Sequence, residues 1–105
     1  MKRQVRARRG SDAGGGRALH ATVQGLVQGV GFRYSAIVRA RRLGLTGYVK
    51  NLPSGSVEVV AEGPKEELEQ MLRWLERGPS GAVVRRVEHR YLPASGAYRD
   101  FRVEF

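Results

Sequence analysis

The stretch from Gly25 to Arg33, GLVQGVGFR, joins a segment with strand periodicity to a segment with helix periodicity. Before it, Leu19, Ala21 and Val23 alternate with polar residues, which is the pattern of a half-buried strand. After it, apolar residues recur at helical spacing as far as Gly44, a residue type that commonly ends helices. Glycine loses more conformational entropy on folding than other residues, so its clustering here predicts that the loop backbone has a specific role.

The rest of the chain continues with alternating strand and helix patterns. After the first helix, the predicted elements are a strand at 45–51, a strand at 56–62, a helix at 64–77, a strand at 82–91 and a short strand at 101–105. Pro64 is expected at the first position of the second helix. A bulge is expected near Arg85 and Arg86, where the alternation of the fourth strand is imperfect.

This order of elements, βαββαβ followed by a short fifth strand, predicts the α+β class. We expect the ferredoxin-like architecture, in which both helices pack on one face of a single antiparallel sheet. That architecture serves binding proteins and enzymes alike, so the fold alone does not predict a function.

The positive charge of the chain is concentrated at its N-terminus. The formal net charge is +9, and six of the 19 basic residues but one of the 10 acidic residues fall within residues 1–17. This segment also contains the run Gly14 to Gly16 and shows no helix or strand period. We therefore expect a disordered basic extension over residues 1–17 and one domain over residues 18–105.

Composition and hydropathy exclude several kinds of site. The chain has no cysteine, which rules out disulfides, thiol nucleophiles and zinc–thiolate centres. It has neither an apolar run of the roughly 20 residues needed for a membrane span nor the apolar core of a signal peptide. We expect a cytoplasmic monomer that makes no membrane contact.

The glycine loop does not match the two commonest nucleotide-phosphate motifs. A dinucleotide motif starting at Gly29 would need a small residue where Tyr34 stands, and no lysine follows a glycine at P-loop spacing. Successive backbone amides ahead of a helix N-terminus can nevertheless bind an anion. The predicted phosphate-binding residues are Gln28, Gly29, Val30, Gly31, Phe32 and Arg33. On its own, the loop is equally compatible with a tight turn that leaves the Arg33 side chain in solvent.

A second motif strengthens the phosphate interpretation. GYVKN, Gly47 to Asn51, ends a predicted strand, which as an antiparallel neighbour of the first strand would bring Asn51 beside the loop. Together with VQGVGFR, and with Gly55, Val57 and Gly63 after it, this motif resembles the two signatures of the acylphosphatase family.

The resemblance covers residues 18–105 and implies an activity. It implies a ferredoxin-like hydrolase that cleaves the carboxyl–phosphate bond of small acyl phosphates, with Arg33 binding phosphate and Asn51 holding the attacking water. The carboxylic acid of the leaving group has a pKa of roughly 4, so the carboxylate can leave without a general acid. We therefore expect catalysis without metal or cofactor. Inorganic phosphate and sulfate are expected to compete with the substrate.

Two alternatives to an acylphosphatase remain open at this point. The net charge would also suit a nucleic-acid-binding ferredoxin-like module, although we do not expect nucleic acid as a partner. A non-catalytic sensor of acyl phosphates would use the same loop. The aromatic residues are expected to be packing residues rather than platforms that stack on bases: Phe32, Tyr34, Tyr48 and Trp74. We expect no catalytic role for His20 or His89.

Overall fold

The computed structural model describes residues 16–105, which form five strands and two helices. The elements are β1 (Arg17–Leu26), α1 (Phe32–Arg42), β2 (Thr46–Asn51), β3 (Val57–Gly63), α2 (Lys65–Arg77), β4 (Val83–Pro93) and β5 (Phe101–Glu104). This is the predicted order of elements, and the α+β ferredoxin-like fold is confirmed.

The five strands form one sheet in the order β4-β1-β3-β2-β5. Neighbouring strands are antiparallel except for β2 and β5, which run parallel, so the sheet is mixed rather than wholly antiparallel. The short fifth strand is parallel because residues 94–100 carry the chain from β4, at one edge, to β2, at the far side of the sheet.

Both helices cover the same face of the sheet. The Phe32 ring of α1 contacts the Trp74 ring of α2, with centroids 5.4 Å apart. The alternating residues of β1 and β3 that point toward the helices are fully buried, as the sequence pattern predicts. The helices contribute six further buried residues to this core: Phe32, Ala36 and Ala40 from α1, and Leu68, Met71 and Leu75 from α2.

Two local expectations have different outcomes. The bulge in β4 is confirmed: Gln24 lies opposite Arg86 but Gly25 lies opposite Val84, so Arg85 is the extra residue. The expected position of Pro64 is wrong by one residue. Pro64 has an extended ψ of 148° and precedes α2 as its N-cap, because its ψ keeps it outside the helical region.

Glu62 holds the 94–100 connection against the sheet face that the helices leave open. Its side chain is buried, and its carboxylate accepts hydrogen bonds from the backbone N–H and the hydroxyl of Ser95 and from the N–H of Gly96, at 2.8–3.0 Å. These charge-assisted bonds satisfy the buried carboxylate and fix the start of the connection.

The predicted N-terminal extension lies mostly outside the described residues. Of residues 1–17, the structure describes Gly16 and Arg17, and Arg17 is already the first residue of β1. The expected disorder of the preceding residues stays a prediction. Within residues 16–105, neither helix is long and apolar enough to cross a membrane.

Candidate active site

The glycine loop, residues 27–31, leaves the end of β1 and enters α1. Gly29 and Gly31 both have φ of 77°, a left-handed conformation that residues with a Cβ rarely adopt. A Cβ added at either position would meet no atom within 4 Å. Backbone conformation, rather than crowding, therefore requires these glycines, and the space in front of them is open.

The first turn of α1 has free backbone donors and no negative charge. Gly31 is the N-cap and supplies no side-chain cap, and the first turn contains no acidic residue. The amide of Ser35 donates to the Gly31 carbonyl at 3.0 Å, so the amides that precede it in the helix lie before the first intrahelical bond. With the helix dipole, these donors create a positive field at the loop, which suits an anion.

Arg33 lies in this first turn and is half-buried. Within residues 16–105, no carboxylate comes within ion-pair distance of its guanidinium. The guanidinium carbon lies 5.9 Å from the centroid of the Phe105 ring, which is within the range of a cation–π contact. Its planar set of donors therefore remains available to two oxygens of a phosphoryl group.

Asn51 lies beside the glycine loop, but through a different strand pairing from the one we expected. Its strand β2 does not pair with β1, because β3 lies between them. Since β2 is antiparallel to β3 and β3 is antiparallel to β1, the C-terminal ends of β1 and β2 lie at the same end of the sheet. The register Asn51–Val57–Val23 aligns this asparagine with the end of β1.

The side-chain oxygen of Asn51 is buried and has no hydrogen-bond partner among the described residues. An unpaired buried acceptor costs about 1–3 kcal/mol, and such atoms in native proteins are uncommon. The free acceptor fits a donor that arrives with the substrate, such as a water molecule.

Gln28 connects the loop to the turn that follows Asn51. Its side-chain amide donates to the carbonyls of Leu52 and Ser56 at 2.8 and 2.9 Å. The sequence analysis missed this function, because nothing in the sequence indicates that these two carbonyls face the loop. The bonds hold the two parts of the site in a constant relative position.

The loop, Arg33 and Asn51 line one cleft of about 340 Å³. Its walls are Val27, Gly29, Gly31, Phe32, Arg33, Tyr34, Ile37, Asn51, Val103 and Phe105. Of the predicted phosphate-binding residues, Gln28 and Val30 do not line this cleft, and Val30 packs against the core.

Other residues considered from the sequence lie elsewhere or behave differently. Lys50 borders a separate depression with Tyr48, on the sheet face opposite the helices. The expectation that Tyr34 is a packing residue is wrong: it lies in the first turn of α1 and is 73% exposed. His20 and His89 border a depression that includes none of the cleft residues. Across residues 16–105, no three potential metal-ligating side chains cluster.

Comparison with known proteins agrees with this geometry. The family model described as acylphosphatase matches residues 19–103, nearly all of the part of the chain that the structure describes. The chain belongs to the acylphosphatase family. An acylphosphatase from Caldanaerobacter subterraneus subsp. tengcongensis is 46% identical over 87 residues, which cover 83% of this chain and 97% of that protein. An acylphosphatase from Trichormus variabilis is 50% identical over 86 residues, 82% of this chain and 84% of that protein.

Solved acylphosphatase structures have the same fold. The acylphosphatase of Coxiella burnetii superimposes with a TM-score of 0.80 at 43% identity, over 85% of this chain and 93% of that chain. Sequence and structure together support acylphosphatase function, that is, a hydrolase acting on small acyl phosphates.

Proposed function

We propose that the acylphosphatase reaction takes place in this cleft, with the phosphoryl group held by backbone amides of the glycine loop and the first turn of α1 and by the Arg33 guanidinium. The open space before Gly29 and Gly31 and the absence of a nearby carboxylate within the described chain support this placement. Three phosphoryl oxygens carry the charge of a loose transition state, and amides and a guanidinium fixed in advance stabilise it without reorganisation.

Asn51 positions the attacking water. The observation that carries this proposal is the buried side-chain oxygen of Asn51, which has no partner among the described residues. This oxygen can accept a hydrogen bond from a water molecule and so orient a lone pair of the water toward phosphorus. The new P–O bond forms in line as the bond to the carboxylate breaks, and the carboxylate leaves with the bonding electron pair. The water proton passes to a phosphoryl oxygen, giving a carboxylate and inorganic phosphate. Because the carboxylate is a stable anion near neutral pH, no side chain has to protonate it.

Substitution of the two residues tests these roles with purified protein and benzoyl phosphate. Asn51→Ala should lower kcat about a hundred- to a thousandfold, with little change in competitive binding of inorganic phosphate. Arg33→Ala should lower kcat and also weaken the binding of inorganic phosphate. Arg33→Lys should cause a similarly large loss of both, because an ammonium cannot contact two oxygens in one plane.

Lys50→Ala is the matched control, because Lys50 adjoins Asn51 in sequence but lies on the other face of the sheet. It should leave turnover near that of the unmodified protein. Near-normal kcat in a folded Asn51→Ala or Arg33→Lys variant, with circular dichroism as the check on folding, would disprove the role assigned to that residue. Phosphate binding without turnover in the unmodified protein would indicate a sensor instead.

We also propose that catalysis is independent of metal, since Arg33 and the amides supply the positive field. Turnover should survive dialysis against a chelator, and phosphate and sulfate should inhibit competitively. Activity lost to the chelator and restored by magnesium or zinc would contradict this. A monomeric state and a cytoplasmic location are further proposals, and sedimentation of the purified protein tests the first.

A further inference from the structure

Apolar residues also line the cleft, and two of them are strongly exposed. Four large hydrophobic residues are strongly exposed within residues 16–105, and two of them, Tyr34 at 73% and Phe105 at 94%, border this cleft. Ile37 and Val103 continue the same wall. Neither exposed aromatic ring is needed to fill the core, so their concentration beside the glycine loop calls for an explanation.

The lining of the cleft is therefore of two chemical kinds. The loop, Arg33 and Asn51 supply polar groups, and Tyr34 and Phe105 supply exposed aromatic rings. An acyl phosphate has the same division, with a charged phosphoryl group at one end and an organic group at the other. A volume of about 340 Å³ lies at the lower end of the range for small-molecule sites, which is about 300–1,000 Å³.

We propose that Tyr34 and Phe105 determine specificity for the acyl group and that this protein prefers aromatic or bulky apolar acyl phosphates over acetyl phosphate. This inference rests on the proposed function of the cleft. The rings contact the acyl group and remove its surface from water, whereas an acetyl group is too small to cover them.

The proposed contacts are with the acyl group rather than with the phosphoryl group, which determines how they affect kinetics. An interaction that is equal in the bound substrate and in the transition state lowers KM and leaves kcat unchanged. Removing the Tyr34 ring should therefore raise KM for an aromatic substrate and change little for acetyl phosphate, whereas the Phe105 ring also contacts Arg33 and is tested through the ratio of two ligands. A purely structural role of the same ring would affect both substrates equally.

The first experiment measures KM and kcat for benzoyl phosphate and acetyl phosphate in matched variants. Tyr34→Ala should reduce the benzoyl-to-acetyl ratio of kcat/KM about three- to tenfold, the range that one aromatic contact supplies, through KM. Tyr34→Phe should retain the ratio, because the ring remains. Tyr98→Ala is the aromatic control, since Tyr98 contacts Tyr48 on the opposite face of the sheet.

The second experiment needs no turnover. Benzylphosphonate and methylphosphonate carry the same anionic group on different organic groups, so the ratio of their dissociation constants, measured by calorimetry, isolates the apolar contact. The unmodified protein should bind benzylphosphonate more tightly, and Tyr34→Ala and Phe105→Ala should each reduce that advantage.

The experiments distinguish failure of the proposed catalytic function from failure of the proposed acyl-group specificity. Absence of hydrolysis with either acyl phosphate would overturn the catalytic proposal, and the phosphonate ratio would still decide this one. Equal binding of the two phosphonates, or an advantage unchanged in both alanine variants, would overturn the assignment of the apolar wall.

Discussion

The hydrogen bonds from Gln28 predict that one side chain controls the alignment of the two halves of the site. Its amide spans from the glycine loop to the turn that begins directly after Asn51. Replacing it by alanine in Gln28→Ala removes both bonds while leaving every proposed phosphate and water contact in place. The substitution therefore separates positioning of the site from its chemistry.

The expected loss of stability in Gln28→Ala follows from the hydrogen bonds that the two carbonyls keep. The Leu52 carbonyl also accepts from the Gly55 amide at 3.0 Å, and the Ser56 carbonyl also accepts from the Leu52 amide at 2.9 Å. Neither carbonyl is left without a partner, so the loss of stability should be near the net value of two hydrogen bonds, about 1–3 kcal/mol. For a domain of this size, that corresponds to a fall in Tm of roughly 4–24 °C.

Turnover should be more sensitive than stability. A displacement of about 1 Å between reacting groups can cost on the order of a hundredfold in rate, so we expect kcat for benzoyl phosphate to fall about 10- to 100-fold. Inorganic phosphate should bind with nearly unchanged affinity, because the loop amides and Arg33 remain. Gln28→Glu should be at least as damaging, since a carboxylate would face two carbonyl oxygens.

Steady-state kinetics, phosphate inhibition and thermal unfolding together test this reasoning. Gln70→Ala is the control, because Gln70 is an exposed residue of α2 far from the turn in the sequence. If Gln28→Ala is destabilised as expected but turns over at the normal rate, the hydrogen bonds do not align Asn51 and the positioning argument is refuted.

Three further outcomes can be measured directly. Glu62→Ala should lower the free energy of unfolding in urea by about 2–4 kcal/mol, because the start of the 94–100 connection loses three hydrogen bonds to a carboxylate, while kcat stays near normal. Burial and then the hydrogen bond with Glu58 raise the pKa of Tyr48 from 10.0 to about 12. Its contribution to stability should be complete below pH 10 and disappear as the pH rises to about 12, which unfolding of the unmodified protein and Tyr48→Phe across this range would show. Removing residues 1–15 should leave turnover unchanged at moderate ionic strength, and a large loss would contradict the expectation that these residues are a disordered extension outside the active site.

The expectations that held concern features that short stretches of sequence control. Alternation of buried and exposed residues follows from strand geometry, so β1 and its buried face could be predicted from Leu19, Ala21 and Val23. The glycine loop was likewise recognisable from residue type, because the lack of a Cβ permits the left-handed φ that Gly29 and Gly31 adopt, and the two family signatures identify the activity. The bulge at Arg85 interrupts the local alternation and was predictable for the same reason.

Relations between distant parts of the chain were decided only by the tertiary structure. Asn51 lies beside the loop because β3 is inserted between β1 and β2, which makes the ends of the two outer strands coincide. No local pattern distinguishes this order from direct pairing of β1 and β2. The contacts of Gln28 with its two carbonyl partners and of Phe105 with Arg33 likewise join segments that are far apart in the sequence. The sequence by itself indicated which residues are candidates for binding a phosphoryl group, because that capacity depends on residue type and on local backbone conformation. Only the packed sheet determined which other side chains complete the site, because their contacts form between segments far apart in the chain.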